Sequence, residues 1–151
     1  MSDANDAPRL RAGDAAAALI IRDDGRYVLQ LRDDLPHIWY PGHWGCFGGA
    51  VDPGESAVEA LRRELYEELA LEVSEPRYLT GFVFDLTTFG LAAYRRDYYV
   101  VQISSDSFAR CRLGEGAAFG AFSSAEALGE LRLVPYDAFA LFLHSERHRI
   151  G

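Results

Sequence analysis

The sequence predicts an α/β domain of the mixed, α+β kind, with several strands in a mixed β-sheet and a few helices packed against it. Three observations predict it: apolar runs joined by tight-turn residues, one long helical stripe in mid-chain, and a length of 151 residues, which suits a single core. Ala15 to Ile21 and Tyr27 to Arg32 are apolar runs separated by Asp23-Asp24-Gly25-Arg26, a β-hairpin with its turn at Asp24-Gly25. Leu35 to Gly45 carries Pro36, Pro41 and Gly42, which exclude a helix and predict an ordered surface loop able to wall a pocket. Trp44 to Val51 reads as a short strand interrupted at Gly48-Gly49, and Asp52-Pro53-Gly54 as the turn that delivers the chain to a helix.

From Ser56 to about Leu69, the residues Val58, Leu61, Leu65 and Leu69 recur at steps of 3, 4 and 4, one face of an α-helix. Pro76 ends this region. Tyr78 to Leu86 and Leu91 to Ile103 are β-rich segments that predict a long hairpin around Thr87 to Gly90. Ala117 to Phe122 is a further strand, and Ser124 to Leu131 a short helix opened by the cap pattern Ser-Ser-Ala-Glu. Pro135 to about His148 is a final amphipathic helix. With no repeat or linker, residues 1–151 are expected to form one domain, flexible over residues 1–14.

Composition narrows the function classes. At 49% hydrophobic and 25% charged residues the chain can bury a sizeable core. A formal charge of -8 disfavours unspecific binding to nucleic acid or an anionic membrane, so a phosphate substrate must be met locally, by metal or arginine. All 15 basic residues are arginine, which excludes lysine Schiff bases and lysine-based phosphate cradles. Cys46 and Cys111 have neither zinc-site spacing nor the density of a disulfide scaffold, and predict reduced core thiols in a cytoplasmic protein. No apolar run approaches the ~20 residues of a membrane span.

The chemistry lies in the central helix. At 100° per residue, Glu64, Glu67 and Glu68 share a face beside the buried stripe, so three carboxylates crowd one patch. Exposed like charges at these spacings destabilise a helix by roughly 0.2 to 0.5 kcal/mol per pair. Arg63, four residues from both Glu59 and Glu67, is expected to brace the side away from Glu64 and Glu68. A hard divalent cation would remove the repulsion, and clustered carboxylate oxygens are what Mg²⁺ or Mn²⁺ prefers. The alternative is an ordinary solvated helix face.

The full string decides between them: Gly49, five residues, Glu55, seven residues, Arg63-Glu64-Leu65, one residue, Glu67-Glu68. It resembles the box of the Nudix hydrolases at every charged position. The resemblance implies an α/β/α sandwich, metal coordination by Glu64, Glu67 and Glu68, support from Glu55, and orientation of the glutamates by Arg63. It also implies that Gly49 shapes the loop before the helix and, with Gly48, borders the substrate. Ala70 stands where the family usually has glycine, which predicts a different, strained helix end. Phe47 stands where many members have proline.

Other residues are candidates with open alternatives. Glu115 resembles an extra carboxylate that relatives supply as metal ligand or general base; the alternative is a turn glutamate. Arg32 resembles a phosphate-contacting arginine; the alternative is a surface residue beside Asp33 and Asp34. Trp39, Tyr40 and Trp44 could stack on a nucleobase, or simply pack. His144 and His148 read as a surface pair on the last helix.

These residues imply a metal-dependent pyrophosphohydrolase that cleaves the diphosphate linkage of a small nucleotide. Asp85 to Phe89 contains neither the proline associated with ADP-ribose cleavage nor the tyrosine associated with dinucleoside polyphosphates, which tilts the expectation toward a nucleoside triphosphate or a nucleotide sugar. The rival readings are a silent nucleotide-binding regulatory module and an RNA 5′-end pyrophosphohydrolase. A homodimer is the default among oligomeric states.

Overall fold

The computed structural model describes residues 13–150; residues 1–12 of the segment expected to be flexible lie outside the described residues. The strand β1 (Ala15–Arg22) is central and buried on both faces, as its unbroken apolar run requires. Ala16, Ala18 and Ile20 face one core; Ala17, Leu19 and Ile21 face the other. β1 pairs antiparallel with β2 (Tyr27–Leu31) across the predicted Asp24-Gly25 turn. On its other side it pairs in parallel with β6 (Tyr94–Ile103), from Ala15 opposite Arg96 to Arg22 opposite Ile103. β5 (Arg77–Phe84) forms the expected hairpin with β6, joined through a 3₁₀ turn at Thr87–Phe89. β7 (Ala118–Phe122) and β3 (Trp44–Gly45) pair with β2, and β4 (Phe47–Ala50) pairs with β1, which makes the seven-stranded sheet mixed.

Helices cover both faces. α1 (Ala57–Leu69) packs Leu61, Leu65 and Leu69 against the first core, all fully buried, each worth roughly 1.5 to 3 kcal/mol. Its start is a capping box: the Ser56 hydroxyl accepts from the Glu59 N–H at 3.1 Å, and the Glu59 carboxylate accepts from the Ser56 N–H at 3.4 Å. α3 (Ser124–Glu130), with the predicted box between Ser123 and Glu126, and α4 (Pro135–Ser145) cover the second core through Ala127, Ala140 and Leu141. The layers are those of an α/β/α sandwich.

The end of α1 is strained, as expected, but not different in kind. Ala70 takes the left-handed conformation itself, φ 53° and ψ 32°, so the helix ends as glycine would end it and alanine bears the strain. Its N–H donates to the Tyr66 carbonyl, and the Leu71 N–H to that of Leu65. Ala70 is exposed, so Ala70→Gly loses no packing. It is expected to raise stability by about 1 kcal/mol in a urea titration, the left-handed penalty less the greater freedom of glycine in the unfolded chain. An unchanged or lower midpoint would show that Ala70 is not strained.

Four further readings need correction. The Trp44 to Val51 segment breaks at Cys46, not at the glycines, because there the chain crosses from β2 to β1. The Cys46 N–H donates to Asp137 Oδ2 at 3.0 Å instead of to a strand. A helix α2 (Ser105–Arg110) was not expected; it is too short to show a stripe, although the Ser104 hydroxyl caps the Ser107 N–H at 3.0 Å. The last helix divides at Glu146 into α4 and α5 (Arg147–Ile150). His144 is not half of a surface pair: it is buried, with Nδ1 2.7 Å from the Tyr27 hydroxyl. Desolvation, helped by Arg147 and His148, lowers its pKa to about 4.

Candidate active site

A cavity of about 780 Å³ opens where β2, β4, α1 and β6 converge. Its size is that of a small-molecule site. Glu64, Glu68 and Glu115 line one part of it with Gly48 and Gly49; Arg32, Trp39, Tyr94, Arg96 and Tyr136 line the rest. The helical phase sorts the glutamates. Glu68 is 5% exposed, Glu64 is half-buried, and the Glu67 side chain is 57% exposed and outside the cavity lining.

Burial sets their electrostatics. Glu68 is pushed up to about 8, first by desolvation and then by the charge of Glu64, with a smaller push from Glu115. The Gly48 N–H, donating to Oε2 at 3.2 Å, and Arg32 oppose it. Glu64 is raised for the same first reason, against the pull of Arg63. These carboxylates therefore sense one another's charge across the cavity. Each keeps one oxygen to spare: Arg63 Nη1 holds Glu64 Oε1 at 3.0 Å, which leaves Oε2, and Gly48 leaves Glu68 Oε1.

Arg63 is the organiser of this cluster. Its Nε and Nη2 donate to both oxygens of Glu55, at 2.8 and 2.9 Å, a bidentate geometry that lowers Glu55 to about 2. Nη2 also reaches the Ala50 carbonyl at 3.1 Å, tying the helix to the end of β4. Arg63 thus binds Glu64 directly, with Glu67 at 3.5 Å, and does not take Glu59, which is spent on the N-terminal box. The expected bracing through Glu59 is therefore not found, whereas the ion pairing with the glutamates that the family resemblance implied is.

The glycines are set by close approach. A Cβ on Gly49 would lie 2.4 Å from the Glu64 carboxyl carbon. Gly48, at φ +147°, would place one 2.2 Å from the Ala16 carbonyl oxygen. Glu115 reaches the cavity because its loop caps α1: the Arg112 N–H donates to the Leu69 carbonyl at 2.9 Å, and the Gly114 N–H to that of Glu68 at 2.7 Å.

The far part of the cavity is aromatic and holds a buried ion pair. Asp137, 4% exposed at the start of α4, accepts at Oδ1 from the Tyr98 hydroxyl at 2.6 Å and from Arg96 Nη2 at 3.2 Å. The Arg96 guanidinium lies over the Tyr136 ring at 4.9 Å and the Tyr98 ring at 5.3 Å. Arg32 donates from Nε to the Trp39 carbonyl at 2.8 Å, which holds the 33–43 loop over the cavity.

A family model described as the NUDIX domain matches residues 11–149. The chain belongs to this family. It is 49% identical over 51 residues to the nucleoside triphosphatase NudI of Escherichia coli, a match covering 33% of this chain and 35% of the relative. A MutT protein from Methanosarcina mazei superposes with a TM-score of 0.75 at 22% identity, over 93% of this chain and 97% of the other. A MutT NUDIX hydrolase from Burkholderia pseudomallei gives 0.69 at 27% identity, over 86% and 95%.

Within this Nudix domain, Glu64, Glu68, Glu115, Arg32, Gly48 and Gly49 meet in one cavity, with Arg63 and Glu55 directly behind. Trp44 does not join them. It packs edge-on against Phe122, ring centroids 5.0 Å apart, in the second core, while the loop residue Trp39 takes the cavity wall. Arg96, Tyr94 and Tyr136 went unrecognised as site residues; only the parallel pairing of β6 with β1 brings Arg96 and Tyr94 there. Among the described residues no three acidic, histidine or cysteine side chains stand together as a finished metal cage. Arg63 holds Glu64 and the Gly48 N–H holds Glu68, each by one oxygen, and an all-oxygen, like-charged donor set facing one cavity fits a hard divalent cation. Among the described residues no helix is long and apolar enough to cross a membrane.

Proposed function

We propose that this Nudix protein is a pyrophosphohydrolase that cleaves a nucleoside triphosphate, with Mg²⁺ or Mn²⁺ as cofactor, to a nucleoside monophosphate and pyrophosphate. The observation that carries this reading is the single cavity that joins a carboxylate end to an aromatic end, room for a diphosphate beside a base. The stretch of 49% identity to a nucleoside triphosphatase supports the triphosphate over a nucleotide sugar. Because that match spans about a third of either protein, the substrate is part of the proposal.

Glu64, Glu68 and Glu115 would supply carboxylate oxygens to the cation, with Glu67 at the rim. Bound there, a divalent cation supplies Lewis-acid charge and makes water a better nucleophile at neutral pH. Arg63 fixes the Glu64 rotamer, so Oε2 stays aimed without further loss of entropy. Arg32 faces the diphosphate as a second positive group. Attack by water on phosphorus forms one P–O bond and breaks the bridging one, while a glutamate oxygen takes the proton of the water.

The test is nucleotide and pyrophosphate release from triphosphates and nucleotide sugars, with Mg²⁺, Mn²⁺ or chelator. Metal-dependent turnover of triphosphates is the expected outcome; nucleotide binding without turnover would replace the hydrolase by a regulatory module. Cation affinity should also depend on pH. Glu68, at about 8, must lose its proton before the carboxylate can bind, so apparent affinity is greatest above pH 8 and falls about tenfold per unit below it. Calorimetry with Mn²⁺ at pH 6, 7 and 8 reads this directly, and a flat profile would show that Glu68 binds no cation.

A further inference from the structure

We infer that Arg96 reads the nucleobase and selects cytosine or guanine, the bases that place two hydrogen-bond acceptors side by side. The inference rests on the proposed nucleotide reading and names which nucleotide the cavity takes. Arg96 lines the cavity, and its donors divide into two sets. Nε donates to the Tyr98 hydroxyl at 2.9 Å and Nη2 to Asp137 at 3.2 Å, which spends one edge of the guanidinium on the protein. No described residue accepts from Nη1. Among the described residues no side-chain nitrogen is buried without a partner, so Nη1 is accessible, and on this remaining edge the planar guanidinium of this cavity-lining residue sets the outer Nη2 hydrogen parallel to one Nη1 hydrogen.

That edge suits a base better than a phosphate. Asp137 already balances the Arg96 charge, so what remains is directional donation, not attraction for an anion. The phosphate end belongs to the carboxylates and Arg32. Asp137, Tyr98 and Tyr136 hold the guanidinium flat before any ligand arrives, so binding costs it little side-chain entropy. Trp39, Tyr94 and Tyr136 line the adjoining space, Tyr94 stacked on Phe84 and Tyr136 beneath the Arg96 guanidinium, and this aromatic wall suits a base.

Two parallel N–H groups need two neighbouring acceptors. Guanine offers O6 and N7; cytosine offers O2 and N3. Adenine sets its amino donor beside N7, and uracil or thymine sets N3–H between two carbonyls, so each leaves one donor facing a donor. The preference for cytosine or guanine nucleotides over adenine and uracil ones should be roughly 10- to 100-fold.

The experiment compares kcat/KM for CTP, GTP, ATP and UTP, and calorimetric Kd for the four monophosphates, in the parent, in Arg96→Lys and in the double variant Arg96→Gln with Asp137→Asn. Lysine keeps a cation beside Asp137 but lacks the paired donors; the double variant removes both charges and so covers a folding failure of the first. Expected is a parent that favours CTP, GTP or both, in rate and in monophosphate affinity, and variants whose four values fall within about threefold of one another. A structural role for Arg96 would lower all four together and keep their order. Parental preference for adenine or uracil, or a ranking that survives both variants, overturns the inference. If no triphosphate turns over, the hydrolase reading fails, and the monophosphate affinities still decide the role of Arg96.

Discussion

Glu64→Gln is expected to lower kcat for the hydrolysed triphosphate by roughly 10³-fold and to leave the melting temperature within a few degrees of the parent. The loss follows from Oε2, the oxygen that Arg63 leaves uncommitted: an amide there neither takes a proton nor offers anionic charge to a cation, and a positioned proton acceptor alone contributes roughly 10² to 10⁴. The fold should persist because glutamine can still accept from Arg63 Nη1 and fills the same volume beneath Gly49. Burial, with a smaller push from Glu67 and Glu115, disfavours the Glu64 charge more than Arg63 supports it, so any change in stability should be a gain. Single-turnover pyrophosphate release and a thermal melt measure both halves. Parent-like turnover would remove Glu64 from the chemistry and with it the carboxylate cluster; a collapse of the melt would mean that its charge holds the fold.

How much of this was legible depended on how local the signal is. α1 and its cap could be read because the stripe Val58, Leu61, Leu65, Leu69 and the Ser56–Glu59 box are set by neighbours within one turn. The hairpin of β5 and β6 was readable for the same reason. The parallel pairing of β1 with β6 was not, since it joins residues some 80 apart and leaves no trace in either strand's pattern. That pairing brings Arg96 and Tyr94 into the cavity, so the aromatic end of the cavity was hidden while the glutamate end was plain. Trp44 shows the converse. Its aromatic ring suggested stacking on a ligand, but its strand pairs with β2 and turns the ring onto Phe122. His144 misled similarly, because spacing on a helix reports a shared face and not which face is covered.

Asp137 was the least conspicuous of the important residues, an acid in the first turn of a helix where such residues are common, and Asp137→Ala should carry the largest stability cost. One carboxylate serves three donors: the Tyr98 hydroxyl and Arg96 at Oδ1, and the Cys46 N–H at Oδ2. Alanine would leave a buried guanidinium without its counter-charge, and a hydroxyl and a backbone N–H without their acceptor. Losing one partner of a buried pair costs about 3 to 5 kcal/mol. For a chain of this length that lowers the melting temperature by roughly 10 °C or more. Asp137→Asn keeps an acceptor oxygen near Tyr98 and should cost less, so the two variants separate the hydrogen bonds from the charge. Because Asp137 also joins α4 to the crossover between β3 and β4, its loss should loosen the chain just before Gly48 and Gly49, and turnover should fall beyond what the lower stability explains. Both variants melting within a degree or two of the parent would mean that water replaces Asp137 at no cost and that Arg96 needs no partner to stay in place.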